Sequence, residues 1–110
     1  MAETFHSKAA LVTNSADTNL LTAGSGETLI IIHCQVANVD GTNAADLYLD
    51  MVDDESSDVT AALAHTISVP ADTAINPIGG KLVLEQGDKI NIWAGAASDL
   101  EVTISYLKIT

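Results

Sequence analysis

The sequence has no arginine, a single cysteine, one tryptophan and one phenylalanine, and aromatic residues make up only 4% of its 110 positions. Four lysines stand against 15 acidic residues, for a net charge of −11. Lacking a basic stripe, such a chain repels phosphate backbones, which excludes nucleic acid as a partner; anionic membranes are disfavoured for the same reason. With Cys34 as the only cysteine, no intramolecular disulfide can form. No run approaches the ~18 apolar residues of a membrane-spanning helix. The N-terminal MAETFHSKAALV lacks the basic-then-apolar layout of a signal peptide, and no Asn-X-Ser/Thr acceptor occurs. These absences point to folding in a reducing cytoplasm.

Patterns that carry catalysis are missing as well. His6, His33 and His65 are scattered with no His-x-His, and there is no Cys-x-x-Cys pair or Gly-x-Ser-x-Gly elbow. His33 and Cys34 are adjacent, but neighbours on a strand point to opposite faces and cannot pair. Gly24-Ser25-Gly26 opens a strand, whereas a phosphate loop requires a helix behind it. The acidic stretch Asp53–Asp58 offers carboxylates to a hard cation, yet lacks the spacing of a helix-loop-helix Ca²⁺ site and reads as a solvated hairpin tip. The expectation is a protein that is not an enzyme and carries no cofactor or metal.

What is present is a repeated grammar of short apolar runs and turns. Hydrophobic residues reach 47%, so Leu, Ile, Val and Ala must fill the core. In Gly79–Trp93, the runs Leu82-Val83-Leu84 and Ile90-Asn91-Ile92 flank the turn Glu85-Gln86-Gly87-Asp88. That spacing reads as a β-hairpin, or as a strand turning a corner into the next. Gly87 suits a positive φ and Asp88 can accept a backbone amide hydrogen bond. Lys8–Val12, Thr18–Thr22, Ala45–Val52 and Leu100–Thr110 read as further strands. Thr60–Val69 starts ambiguously, as a helical turn or a strand, and ends strand-like.

Glu27–Val39 is the longest strand candidate. Alternation puts Ile30, Ile32, Cys34 and Val36 on a core face. It puts Leu29, Ile31, His33, Gln35 and Ala37 on the opposite one, which is more apolar than a solvated face should be. Tyr48 and Trp93 also fall on outer faces, where large rings often mark a contact. Leu29, Ile31, His33, Tyr48 and Trp93 are therefore the candidate interface residues. The whole reads as one all-β domain over residues 1–110, a two-sheet antiparallel sandwich, jelly-roll-like, with seven to nine strands; residues 1–10 form an edge strand or a loose arm.

The segments Ile67-Ser68-Val69-Pro70-Ala71-Asp72-Thr73, Gly80-Lys81-Leu82-Val83-Leu84-Glu85-Gln86-Gly87-Asp88-Lys89-Ile90 and Val102-Thr103-Ile104-Ser105-Tyr106-Leu107-Lys108-Ile109 together resemble small structural proteins of tailed bacteriophages. In those a Gly-Asp turn precedes a terminal strand of this Ser-Tyr kind; Lys108 departs from the acid expected there. The resemblance implies a virion component assembled in the bacterial host cytoplasm. Its expected role is a capsid decoration or cement protein bridging major capsid subunits, or a tail or fibre component. Partners would be further copies of itself, with a trimer as one option, and the phage major capsid protein or tail proteins. The competing reading is a carbohydrate-binding jelly roll, with Tyr48 or Trp93 stacking on sugars and Asp53–Asp58 holding Ca²⁺.

Overall fold

A computed structural model describes residues 2–16, 18–54 and 59–110. Nine strands follow one another: β1 (Glu3–Leu11), β2 (Asn19–Thr22), β3 (Thr28–Asn38), β4 (Ala45–Asp53), β5 (Val59–Val69), β6 (Ala74–Ile75), β7 (Leu82–Leu84), β8 (Lys89–Ala94) and β9 (Leu100–Ile109). They form two antiparallel sheets. Sheet A has the order β1-β9-β3, with the free side of β3 capped by β6 and β7; sheet B has the order β2-β8-β4-β5. Most connections cross between the sheets; among the described strands, β4 and β5 alone are both consecutive in the chain and paired with each other. The architecture is the antiparallel sandwich that alternation and frequent turns predict.

Between the sheets lies an aliphatic core. Leu47, Leu49, Ile90 and Ile92 from sheet B meet Leu29, Ile31, Val36, Leu100, Val102 and Ile104 from sheet A. Each such side chain, fully buried, contributes about 1.5–3 kcal/mol of transfer free energy. The period-2 reading holds for β4, β8 and β9. The start of β5, left open between helix and strand, is extended along with the rest of that element. Residues 3–11 pair with β9 along their length, so the N-terminal segment is an edge strand.

Simple alternation misplaces the first half of β3. Ile31 sits opposite Tyr106, but His33 sits opposite Ser105, so Ile32 is an extra residue in the ladder, a β-bulge. One inserted residue inverts the alternation at that point. Leu29 and Ile31 therefore point inward before the bulge, and Cys34, Val36 and Asn38 after it. Ile30 and Ile32, expected in the core, are turned outward instead; Ile32 is 44% exposed.

The Gly87-Asp88 turn is a corner and not a hairpin, because β7 belongs to sheet A and β8 to sheet B. Asp88 is buried and satisfied by two backbone amides: Glu85 N–H donates to Oδ2 and Asp54 N–H to Oδ1, both at 2.9 Å. Gly87 has φ +92°, and a Cβ there would lie 2.5 Å from the Asp54 carboxylate, so only glycine fits. The Gly87 N–H donates to the Ala23 carbonyl, and the Ala23 N–H to the Asp88 carbonyl. One short turn thus ties β7, β8, the end of β4 and the end of β2. Asn38, also buried, does the same for the β3–β4 connection. Its Nδ2 donates to the carbonyls of Asn43 and Val69, and its Oδ1 accepts from Asp40 N–H.

Asp88→Ala leaves two part-buried amides without acceptors, at about 1–2 kcal/mol each. Urea titration should show the variant less stable by about 2–4 kcal/mol, with the slope unchanged; an unaltered midpoint would contradict the role given to this carboxylate.

Candidate interaction surfaces

The described residues bring no catalytic or ligating set together. His6 stacks on Tyr106 with ring centroids 5.3 Å apart, His33 is exposed on sheet A, and His65 lies on β5 in sheet B. Among the described residues, no group of three or more His, Cys, Asp or Glu side chains is placed to hold a metal ion. Of the acidic stretch, residues 55–58 lie outside the described part; the Asp54 side chain packs against Gly87. Cys34 is buried, and that burial pushes its thiol up to about 11. A neutral thiol at that depth is a small hydrophobe.

The two outer sheet faces carry exposed aromatic and apolar groups. On sheet B, Tyr48 of β4 pairs directly with Trp93 of β8. Their rings are parallel with centroids 5.1 Å apart, and His65 meets Tyr48 edge-on at 5.4 Å and 83°. The structure thus joins the two predicted aromatic residues and adds His65, whose place on an edge strand alternation alone does not reveal. The neighbouring row is polar, with Asn19 opposite Asn91 and Asn91 opposite Asp50. Because the Tyr48 and Trp93 rings are parallel and adjacent, each covers part of the other, and neither lies flat as an open platform.

Sheet A carries the larger apolar surface. Antiparallel register places Phe5 opposite Leu107, Leu107 opposite Ile30, and Ile30 opposite Val83. Directly opposed residues share a face, so these four side chains make a continuous row across β1, β9, β3 and β7. The row lies on the outer face, since Leu29 and Ile31 to either side of Ile30 point inward. Phe5 is 78% exposed and Val83 48%. Ile32, lifted by the bulge, and Ile109 extend the patch. Leu29 and Ile31, proposed from the sequence as interface residues, are 1% and 0% exposed and belong to the core; the bulge turns Ile30 and Ile32 outward in their place. His33 does face outward, at the border of the patch.

This face carries little acid. Of the 15 acidic residues, the strands of sheet A contain only Glu3 and Glu101, at opposite ends of the β1–β9 pair. Lys108, the departure from the phage-like pattern, is turned to the inner side and forms an ion pair with Glu27 at 3.4 Å. Glu27 also accepts from Gly24 N–H at 2.8 Å, and this bond, with Lys108, holds its carboxyl below the usual range.

No protein-family model matches the chain, and no curated relative is found by sequence. Solved structures share its fold. A subunit of the disulfide-linked pili formed by Bacillus endospore appendages superposes with a TM-score of 0.56 at 12% identity, covering 99% of this chain and 87% of that one. The Drosophila NLP core, described for pentamer formation and histone binding, gives 0.52 at 15% identity over 96% and 98%. The nucleoplasmin-like N-terminal domain of Drosophila FKBP39 gives 0.51 at 17% over 98% and 91%. None of the three is a bacteriophage protein, and at these identities the likeness is one of fold.

The Cys34 thiol carries a sign-definite prediction. An acid whose folded pKa is raised stabilises the fold fully below its unfolded value, about 9, and loses that contribution as pH rises through about 11. The melting temperature of Cys34→Ser should therefore fall less between pH 9 and 11 than that of the parent. Parallel pH curves would show that Cys34 is not buried as a neutral thiol.

Proposed function

We propose that this chain is a non-enzymatic structural protein that assembles with itself and decorates the capsid of a tailed bacteriophage, seating the outer face of sheet A on major capsid subunits. The observation that carries the reading is the row Phe5–Leu107–Ile30–Val83. A monomer with no partner has no use for an apolar row spanning four strands on a solvated face, and such patches mark interaction sites. The acidic residues lie mostly in the connections, which suits a particle coat whose exposed rim stays soluble at high copy number.

The pili and the pentamer in the descriptions of two neighbours support the sandwich as a scaffold for repeated assembly. The bacteriophage assignment rests on the resemblance of the Gly87-Asp88 turn and the terminal Ser105-Tyr106 strand. A place in the tail or a fibre uses the same face against a different lattice. The carbohydrate-binding reading is weaker, because the Tyr48 and Trp93 rings are engaged with each other.

Mixing the purified protein with expanded capsids and pelleting them tests the proposal. The parent should co-sediment at stoichiometric copy number. Val83→Asp should weaken capsid binding by about ten- to a hundredfold, matching the about 1.5–3 kcal/mol of one buried Val, with no loss of thermal stability because Val83 is exposed. Equal binding by parent and variant would remove the sheet A face from the contact. A parent that ignores capsids would overturn the decoration role.

A further inference from the structure

The long free edges of the sandwich are β1 in sheet A and β5 in sheet B. An open edge is a row of unpaired amides and carbonyls, a template for another strand unless it is bent, broken or charged. β5 is bent. Its pairing with β4 shifts register twice, and Thr66 sits at φ 53°. β2, β6 and β7 have four, two and three residues. β1 differs from all of these: its nine residues pair with β9 one for one, without a single shift. It holds no proline, and its lysine is engaged inward, Lys8 Nζ donating to the Leu20 carbonyl at 2.7 Å.

The direction of every backbone group on β1 follows from its ends. Ala2 and Thr110 exchange two hydrogen bonds, at 3.0 and 2.9 Å, and Val12 N–H donates to the Leu100 carbonyl at 2.9 Å. In an antiparallel ladder bonded and non-bonded pairs alternate. The even-numbered residues of β1 therefore bond β9, while Glu3, Phe5, Ser7, Ala9 and Leu11 turn their N–H and C=O groups to the open side. These same five residues carry their side chains on the outer face of sheet A, opposite Ile109, Leu107, Ser105, Thr103 and Glu101.

We infer that a second copy of this chain docks on β1, edge to edge and antiparallel, about a two-fold axis at Ser7. The inference rests on the reading of the chain as self-assembling and names the element that does it. An axis at Ser7 sets Phe5 opposite Ala9 of the second copy and Glu3 opposite its Leu11. All five outward residues then fall in hydrogen-bonded pairs, so every open amide and carbonyl of both edges is satisfied. The side chains fit the same axis. Among the described residues Phe5 is the most exposed large hydrophobic one, and a shallow hollow of about 280 Å³ is lined by Ala9, Ala10, Leu11, Glu101, Val102 and Thr103. Knob and hollow lie four residues apart on one strand, and the axis places each against the other's counterpart. That self-complementarity is what an isologous contact requires and what selects a second copy over an unrelated strand. The unit of assembly is a pair whose sheet A is continuous through both copies.

Two variants and one cross-link test this by sedimentation and gel. Ser7→Pro removes an outward N–H and leaves the β1–β9 bonds intact, and proline is tolerated on an edge. It should weaken pairing by about tenfold or more through the loss of the central bonds. Phe5→Ser, at an exposed site, should weaken it while leaving the melting temperature unchanged. In Ser7→Cys the two Cα atoms would lie about 5.5 Å apart, within the about 4.4–6.8 Å that a disulfide spans. Mild oxidation should give a cross-linked dimer, whereas Glu3→Cys should not, its partner being Leu11. A parent that assembles while Ser7→Pro assembles equally well and Ser7→Cys stays uncross-linked would overturn the edge pairing and leave self-assembly standing. A parent that is monomeric at every concentration would overturn both.

Discussion

A β-strand can give its apolar side chains to the core on alternate positions only, and β3 has more consecutive apolar residues than one face can take. Leu29-Ile30-Ile31-Ile32 is resolved by the bulge at Ile32: Leu29 and Ile31 go inward, Ile30 and Ile32 go out, and Cys34, Val36 and Asn38 resume the inward phase. Both the core and the outer face of sheet A depend on that parity change. It completes the core beneath sheet A, and it leaves Ile30 in line with Leu107, Phe5 and Val83 above it. An unbulged β3 would have kept one phase along its length and forced a choice between the core pairs Leu29/Ile31 and Cys34/Val36.

With so few aromatic residues, the sandwich relies on aliphatic packing and on fixed corners. Among the described residues, Asp88 and Asn38 are the two buried polar side chains, and each accepts from or donates to backbone groups of separate segments. They act as internal clamps where Lys and Arg networks are not available. The surplus of acid is carried mainly in the connections, so the strands of sheet A stay close to uncharged. A net charge of −11 opposes any two copies coming together, and the face with least acid is where that opposition is weakest.

Much of the fold was legible. The turns at Gly26, Asp40–Asn43 and Gly87-Asp88, and the alternation in β4, β8 and β9, state a sandwich directly, because local chemistry and side-chain period decide them. The bulge was not legible, since one inserted residue depends on the β9 partner and leaves no mark in the composition of β3. Its consequence was the misplacing of Leu29 and Ile31 as interface residues. Tyr48 and Trp93 were correctly read as outward-facing, yet their mutual stacking needed strand order, which alternation does not supply. Phe5 and Val83 escaped notice because their strands are read one at a time, Phe5 on a mainly polar segment and Val83 inside the run Leu82-Val83-Leu84; only the register assembles them into a row.

On the proposed reading, sheet A is the assembly face and β1 its joining edge. Residue-resolved amide hydrogen exchange, compared between a dilute and a concentrated solution, addresses this directly. Phe5, Ser7 and Ala9, whose amides face away from β9, should exchange freely when dilute and become protected on association, while the amides of β5 do not change. Association without new protection at these three residues, or with protection gained along β5 instead, would contradict the assignment.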